Sequence, residues 1–425
     1  MKNLWYLKGR YFLHKFTEEG LRKALEHFER ALEIEPNYAA AYAGIADAYT
    51  FLMEWGLVQP QEAQAKAKEA AEKALELDDS LAEAHASLAL IHLVFEEAIE
   101  AGERELKRAL ELNPSYAPAH LYYAHVLQAQ GRMEEALVES RKALELDPLF
   151  PFSHVGVGRM LQDMGRLEEA IEHYRRALEL EPNFVIARFD LVRAKQLIGD
   201  WSGAEAEIKE ALALDPKNLW AHMLYAYHLI YAGRREEGLA ELEEALELEP
   251  ELGQRTAEVG SLLCLARCYD RAIEQLEGRV ALAPKDGLAH FSLGWAYLWK
   301  GEPEEALAAF ERARATFAGG HRQLDLWATA GSGVAYARMG QRDRAVRVLQ
   351  DLLGRPPQKD RSAAIARVYL HLGELEQAFR WLEKAFEDKD PWVRTIKAQP
   401  DFDGVRTHPR YLALLGKLGL GDPQS

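Results

Sequence analysis

Five histidines fall in one recurring slot, His85, His120, His154, His222 and His290. A ladder of metal ions is the chemistry they suggest, but zinc ligands must all stand about 2.0–2.1 Å from the ion. Equivalent residues on packed helices are about 8–10 Å apart, and no cysteine or aspartate recurs beside them. The slot reads as packing. Cys264 and Cys268, the two cysteines, share one helix face, yet a closed zinc site needs four ligands. They read as buried helix residues. Gly156-Val157-Gly158 and Gly331-Ser332-Gly333 resemble phosphate-cradling loops without the preceding strand that such loops require. Asp401-Phe402-Asp403-Gly404 looks like a kinase metal-binding triplet lacking every other kinase element. Pairs such as Glu134-Glu135, Glu168-Glu169 and Glu304-Glu305 suit the positive end of a helix dipole. No activated nucleophile, paired-carboxylate site or metal set emerges. The expectation is a protein that is not an enzyme, with no cofactor and no metal.

The balance of charge narrows the partners. Acidic residues exceed basic ones by 16 over 425 residues, which repels nucleic-acid phosphates and anionic lipid. No run approaches the roughly 20 apolar residues of a membrane span, and two cysteines make no disulfide framework. The opening MKNLWYLKGRYFLHKF has scattered basic residues and no small-residue cleavage site. A cytoplasmic protein is expected, with no nucleic acid partner and no membrane insertion.

The elements that carry these residues repeat. Pro114, Pro148, Pro182, Pro216, Pro250 and Pro284 stand 34 residues apart, Pro36 closes an earlier copy, and Asp79 holds the same place in KALELDD. Proline suits a helix's first turn and breaks its interior, so each marks a boundary. Ala136, Ala170, Ala204, Gly238, Ala272 and Ala306 keep the same step, as do Ala124, Gly158, Ala226, Gly260 and Gly294. Small residues facing small residues are expected to set the helix contact. Gly131, Gly165 and Gly233 supply left-handed turns within the pairs. Each unit reads helix, glycine turn, helix, proline.

These residues resemble the tetratricopeptide repeat (TPR), Trp-x2-Leu-Gly-x2-Tyr, then Ala-x3-Phe, then Pro. His290-x2-Leu293-Gly294-x2-Tyr297 with Ala306-x3-Phe310 is one copy, and His154, Val157, Gly158, Leu161, Ala170, Tyr174 and Pro182 form another. The resemblance implies an all-α, right-handed TPR superhelical solenoid of about eleven helix-turn-helix repeats over 1–390, with a C-terminal capping segment and tail at 391–425. An enlarged turn is expected near 54–62, an irregular repeat near 251–284 and a register break near 318–323. Tyr411, Leu414, Leu415 and Leu418 form one apolar helix face, fit to cover the last repeat. The opening YLKGRYFLHKF and the closing DPWVRTIKAQPDFDGVRTHPRYLALLGKLGL are similar to repeat arrays of bacterial winged-helix, adenylate cyclase and serine/threonine kinase signalling proteins.

The TPR likeness places a concave groove on the first helix of each pair. Tyr122, His125, Gln128, Arg159, Gln162, Phe189, Arg193, Gln196, Trp220, Tyr227 and Trp295 are the residues expected to line it. Aromatic and arginine side chains dominate binding hot spots, and glutamine pairs with both halves of a peptide group. Arg159 and Arg193 either hold a peptide or carboxylate, or pair with Asp163 or Asp190. The expected function is a protein-protein interaction scaffold of sensory or regulatory kind. The alternatives are a substrate-recruiting subunit of an enzyme, or a self-assembling homo-oligomer pairing through Trp5, Tyr6, Tyr11 and Phe12.

Overall fold

The computed structural model describes all residues except 55–56, 96–97, 256, 318–321, 357–359 and 422–425. The AGGH stretch at 318–321 and part of the enlarged turn near 54–62 lie outside the described residues. Among those described, all regular structure is helical and falls into eleven pairs with a terminal segment. The first five pairs are α1 (Lys2–Leu13) with α2 (Glu18–Ile34), α3 (Ala39–Glu54) with α4 (Pro60–Leu77), α5 (Ala82–Val94) with α6 (Ile99–Leu112), α7 (Ala117–Ala129) with α8 (Met133–Leu146), and α9 (Pro151–Asp163) with α10 (Leu167–Leu180). Next come α11 (Val185–Leu197) with α12 (Trp201–Leu214) and α13 (Leu219–Tyr231) with α14 (Arg235–Leu248). The eighth pair has a first helix in two pieces, α15 (Leu252–Arg255) and α16 (Glu258–Leu265), before α17 (Tyr269–Leu282). The last three are α18 (Gly287–Lys300) with α19 (Pro303–Phe317), α20 (Arg322–Arg338) with α21 (Arg342–Gly354), and α22 (Arg361–His371) with α23 (Leu375–Glu387). Two short 3-10 helices, Pro391–Thr395 and Pro400–Val405, and α24 (Pro409–Lys417) complete the fold.

The chain divides into two compact units, Met1–Ala194 and Lys195–Ser425. In unit one the first helices α1, α3, α5, α7 and α9 pack side by side as an inner row, and each second helix backs its own partner. The small residue of the inner helix does not face another small one. A Cβ added at Gly158 would stand 2.5 Å from the Tyr174 ring, and one at Gly294 2.5 Å from Phe310. The missing bulk seats a large ring of the second helix, because close packing leaves no room for both.

The histidine slot is a tether. His120 Nε2 lies 2.9 Å from the Pro114 carbonyl and its Nδ1 2.6 Å from Glu139. His85 and His222 repeat the arrangement with Glu105 and Glu241, while His154 meets His173 at 3.1 Å instead. One ring thus ties the preceding turn to the second helix. On α1, Trp5 and Phe12 pack against His27 and Tyr6 against Phe28, so these three rings are covered by α2, while Tyr11 is exposed.

Candidate binding faces

Turn chemistry fixes how the inner rows are reached. Two residues before the second helix, nine of the eleven turns take a left-handed conformation, which glycine fills at Gly131 (φ 79°) and Gly165 (φ 77°), as at five further turns. Phe16 (φ 47°) and Arg267 (φ 70°) stand in the same place with side chains. Such a conformation costs a non-glycine residue about 1–2 kcal/mol. Each therefore marks a contact that offsets strain: Phe16 lies on a cover over an inner face, and Arg267 grips the cover of another through Asp403.

In unit one the α1–α2 turn reaches the far end of its own row. Phe16 stacks on Phe152 at 5.0 Å and 14°, meets Phe51 edge-on at 5.0 Å, and contacts Phe150 and Phe184 at 6.2 and 6.0 Å. Lys15 Nζ donates to Glu181 at 2.7 Å, and His14 lies 4.4 Å from Phe150. Behind the turn Arg10 NH1 sits 3.6 Å from Asp47, which accepts a 2.6 Å bond from Ser87 Oγ. Burial lifts the Asp47 carboxyl to about 6 despite Arg10, and burial with Arg10 lowers His14 to about 3. Sequence reasoning missed this cluster. The signal was there in the aromatic Phe16 at a glycine position.

The C-terminal halves of α7, α9 and α11 carry the polar row. Arg159 Nε donates to Asp190 Oδ2 at 2.6 Å, and Arg193 NH2 stands 3.6 Å from Asp190 Oδ1. One buried carboxylate is thus shared by two guanidiniums that are 32% and 41% exposed. Gln128 bonds Asp163 and lies 3.3 Å from His125 Nδ1. Burial and the Arg159 charge hold the His125 imidazole below its ordinary range. Tyr122 borders the cleft beneath the α1–α2 turn, and Phe189 is partly exposed. Gln162 does not line the groove. It is buried, with Tyr174 Oη 3.5 Å away, because its helix turns that side toward α10.

Unit two covers its inner face more completely. Residues 391–420 do not only cap α23, where Arg410 pairs with Glu383 at 2.8 Å; they meet the first helices α22, α18 and α13 and reach the start of α12. Trp201 Nε1 donates to the Leu418 carbonyl at 2.9 Å, Arg394 sits over Tyr231, and Arg267 pairs with Asp403 at 2.5 Å. At the centre the buried Arg367 guanidinium lies 4.0 Å from the Trp295 ring and 4.5 Å from Trp392. Arg367 NH2 donates to Gln399 Oε1 at 2.7 Å and pairs by charge with Asp401 Oδ2 at 2.8 Å, while Asp401 Oδ1 accepts from His371 at 2.8 Å and from Trp299 Nε1 at 3.2 Å. Burial alone would raise this carboxyl, but Arg367, His371 and Arg338 hold it below the usual carboxylate range.

Two more expected groove residues are therefore corrected. Trp295 is 5% exposed, enclosed by Arg367, Trp299 and Phe310. Gln196 is 4% exposed and bonds His228 Nδ1 at 3.1 Å. Both slots point at groups distant in sequence, which repeat arithmetic does not reveal. Tyr227 packs at 5.7 Å from Tyr231, and Trp220 is partly exposed. Among the described residues no group of three or more His, Cys, Asp or Glu side chains is placed to hold a metal ion, and no helix is long and apolar enough to cross a membrane.

Comparison with known proteins agrees with this architecture. Tetratricopeptide-repeat profiles match residues 117–148, 152–184, 199–263, 266–321 and 331–391. The transcriptional regulator HilA of Salmonella typhimurium is 30% identical over 132 residues, 31% of this chain and 24% of that protein. The match thus spans about a quarter of that relative's length. Yeast Tom70 aligns over 79% of this chain and 89% of its own at 16% identity and a TM-score of 0.51. Human IFIT1, in its dimer with PPP-AAAA, aligns over 70% and 69% at 21% identity and 0.50. Repeat profiles along most of the chain and eleven helix pairs lead to one conclusion: this chain is a tetratricopeptide-repeat protein.

Proposed function

We propose that the chain is a non-catalytic scaffold of a bacterial cytoplasmic signalling system, and that it binds a partner protein on the inner face of unit one. The observation that carries the choice of face is the cover over unit two. There residues 391–420 occupy the inner helices, whereas the side chains of Arg159, Arg193 and Gln128 stay partly exposed in unit one. Two guanidiniums over Asp190, beside the Gln128–Asp163 pair, form a mixed donor and acceptor row suited to an extended peptide. The likeness to a transcriptional regulator supports a regulatory setting. The test is a pull-down from the native host with wild type and Arg159→Ala/Arg193→Ala, helicity being checked in parallel. The double variant should weaken capture of the partner at least about tenfold, the worth of two hot-spot side chains. Undiminished capture by a folded variant rules out this face.

A further inference from the structure

The α1–α2 turn closes one end of the unit-one face with a single ring. Four phenylalanines converge on Phe16, from α3 (Phe51), from the start of α9 (Phe150 and Phe152) and from the residue before α11 (Phe184). They come from three separate chain segments, so the pocket exists only in the folded row. Phe16 enters it at a backbone cost that glycine avoids at the equivalent turns. Beyond that ring the turn is tied by Lys15 to Glu181, a pair 36% and 26% exposed. Tyr122, at the rim of the same cleft, stands one helical turn before His125 and two before Gln128 and the polar row.

We propose that the pocket of Phe51, Phe150, Phe152 and Phe184 is a docking pocket for an aromatic anchor residue of the partner, with Phe16 its resident placeholder. The inference rests on the reading that unit one's inner face binds protein. The pocket's own occupant shows what it accepts: a ring offered from a short turn, stacked on Phe152 and met edge-on by Phe51. Aromatic pairs favour these offset and edge geometries, so a planar ring is selected over an aliphatic chain of equal area. A partner peptide would place its ring here and its backbone along the Gln128 and Arg159 row. The placeholder keeps four apolar rings from open water until that exchange.

The full-length chain with Phe16→Gly tests this, since glycine accepts the turn's backbone. The probe is the peptide acetyl-His-Lys-Phe-Thr-amide, a copy of residues 14–17, titrated calorimetrically against wild type and variant. Acetyl-His-Lys-Ala-Thr-amide is the control. The variant should bind the phenylalanine peptide at least about tenfold more tightly than wild type does, and Phe152→Ala added to it should remove the gain. Equal binding by wild type and variant, or by both peptides, overturns the proposal. Should Phe16→Gly lose helicity, Lys15→Ala removes only the tie to Glu181 and should raise peptide affinity about threefold, the worth of a surface pair; no gain there also overturns it. A failed titration with partner capture still sensitive to Arg159 and Arg193 removes the pocket and keeps the face. Peptide binding with capture insensitive to those arginines does the reverse.

Discussion

The two inner faces are covered by the chain's own residues on very different scales. In unit two Ile396, Phe402, Tyr411, Leu414 and Leu418 join one core with Trp295, Trp327 and Phe310. At about 1.5–3 kcal/mol for each large apolar side chain buried, those five alone oppose removal by roughly 7–15 kcal/mol. In unit one the cover is a turn with one inserted ring, about 2–3 kcal/mol less the 1–2 kcal/mol or so of backbone strain. No partner of ordinary affinity displaces the first, and a modest one displaces the second. Buried apolar area, more than the number of polar contacts, separates a permanent part of the fold from an exchangeable one.

Breaking the larger cover gives the largest effect. Asp401→Ala leaves Arg367 buried without its carboxylate and should destabilise unit two by about 3–5 kcal/mol. Denaturant unfolding followed by tryptophan emission reads this, because seven of the nine tryptophans lie in unit two. An unmoved transition would mean that charge does not hold the cover. Next is the root of the same segment, where Asp390 is buried beside Asp360. Burial, then the Asp360 charge and hydrogen bond, push the Asp390 carboxyl well above the usual range. A raised folded value means the stability is present below about pH 4, the unfolded value, and is lost as pH rises toward the folded one. Asp390→Asn keeps a donor without a proton to lose. It should flatten that decline and stabilise unit two at pH 8 by on the order of 2 kcal/mol. A slope identical to wild type across a pH series of unfolding midpoints would show that the Asp390 carboxyl does not cause the decline. The smallest effect belongs to the smaller cover: Phe16→Gly should cost unit one only about 1 kcal/mol, lost ring burial being offset by relieved strain. A loss comparable to that of Asp401→Ala would erase the contrast between the faces.

Most of the architecture was legible because it is local. Prolines spaced by 34 residues and a glycine before most second helices are decided within one repeat, so the succession of helix pairs follows from their positions. Arg159 and its pairing with Asp190 were within reach for the same reason, one repeat separating them. The covers were not, since Lys15 meets Glu181 across 166 residues and Trp201 meets Leu418 across 217. Repeat arithmetic assigns Trp295 and Gln196 to an open groove because it treats every copy as equivalent. Equivalence ends where a distant segment arrives, and the sequence records that at Phe16 and Arg267, side chains where other turns carry glycine.

Those distant ties also bear on how the molecule comes apart. A linear repeat array melts by fraying from its open ends, each repeat held by its neighbours alone. Here the first pair of unit one is fastened to the close of its fifth, and in unit two α12 is fastened to the terminal segment. Loose ends are thereby removed from each unit. Opening then begins at an interior seam, for which the divided first helix of the eighth pair is the natural place. The cost appears on the way in, because closing such long loops comes after the helix pairs have formed and slows the final step of folding.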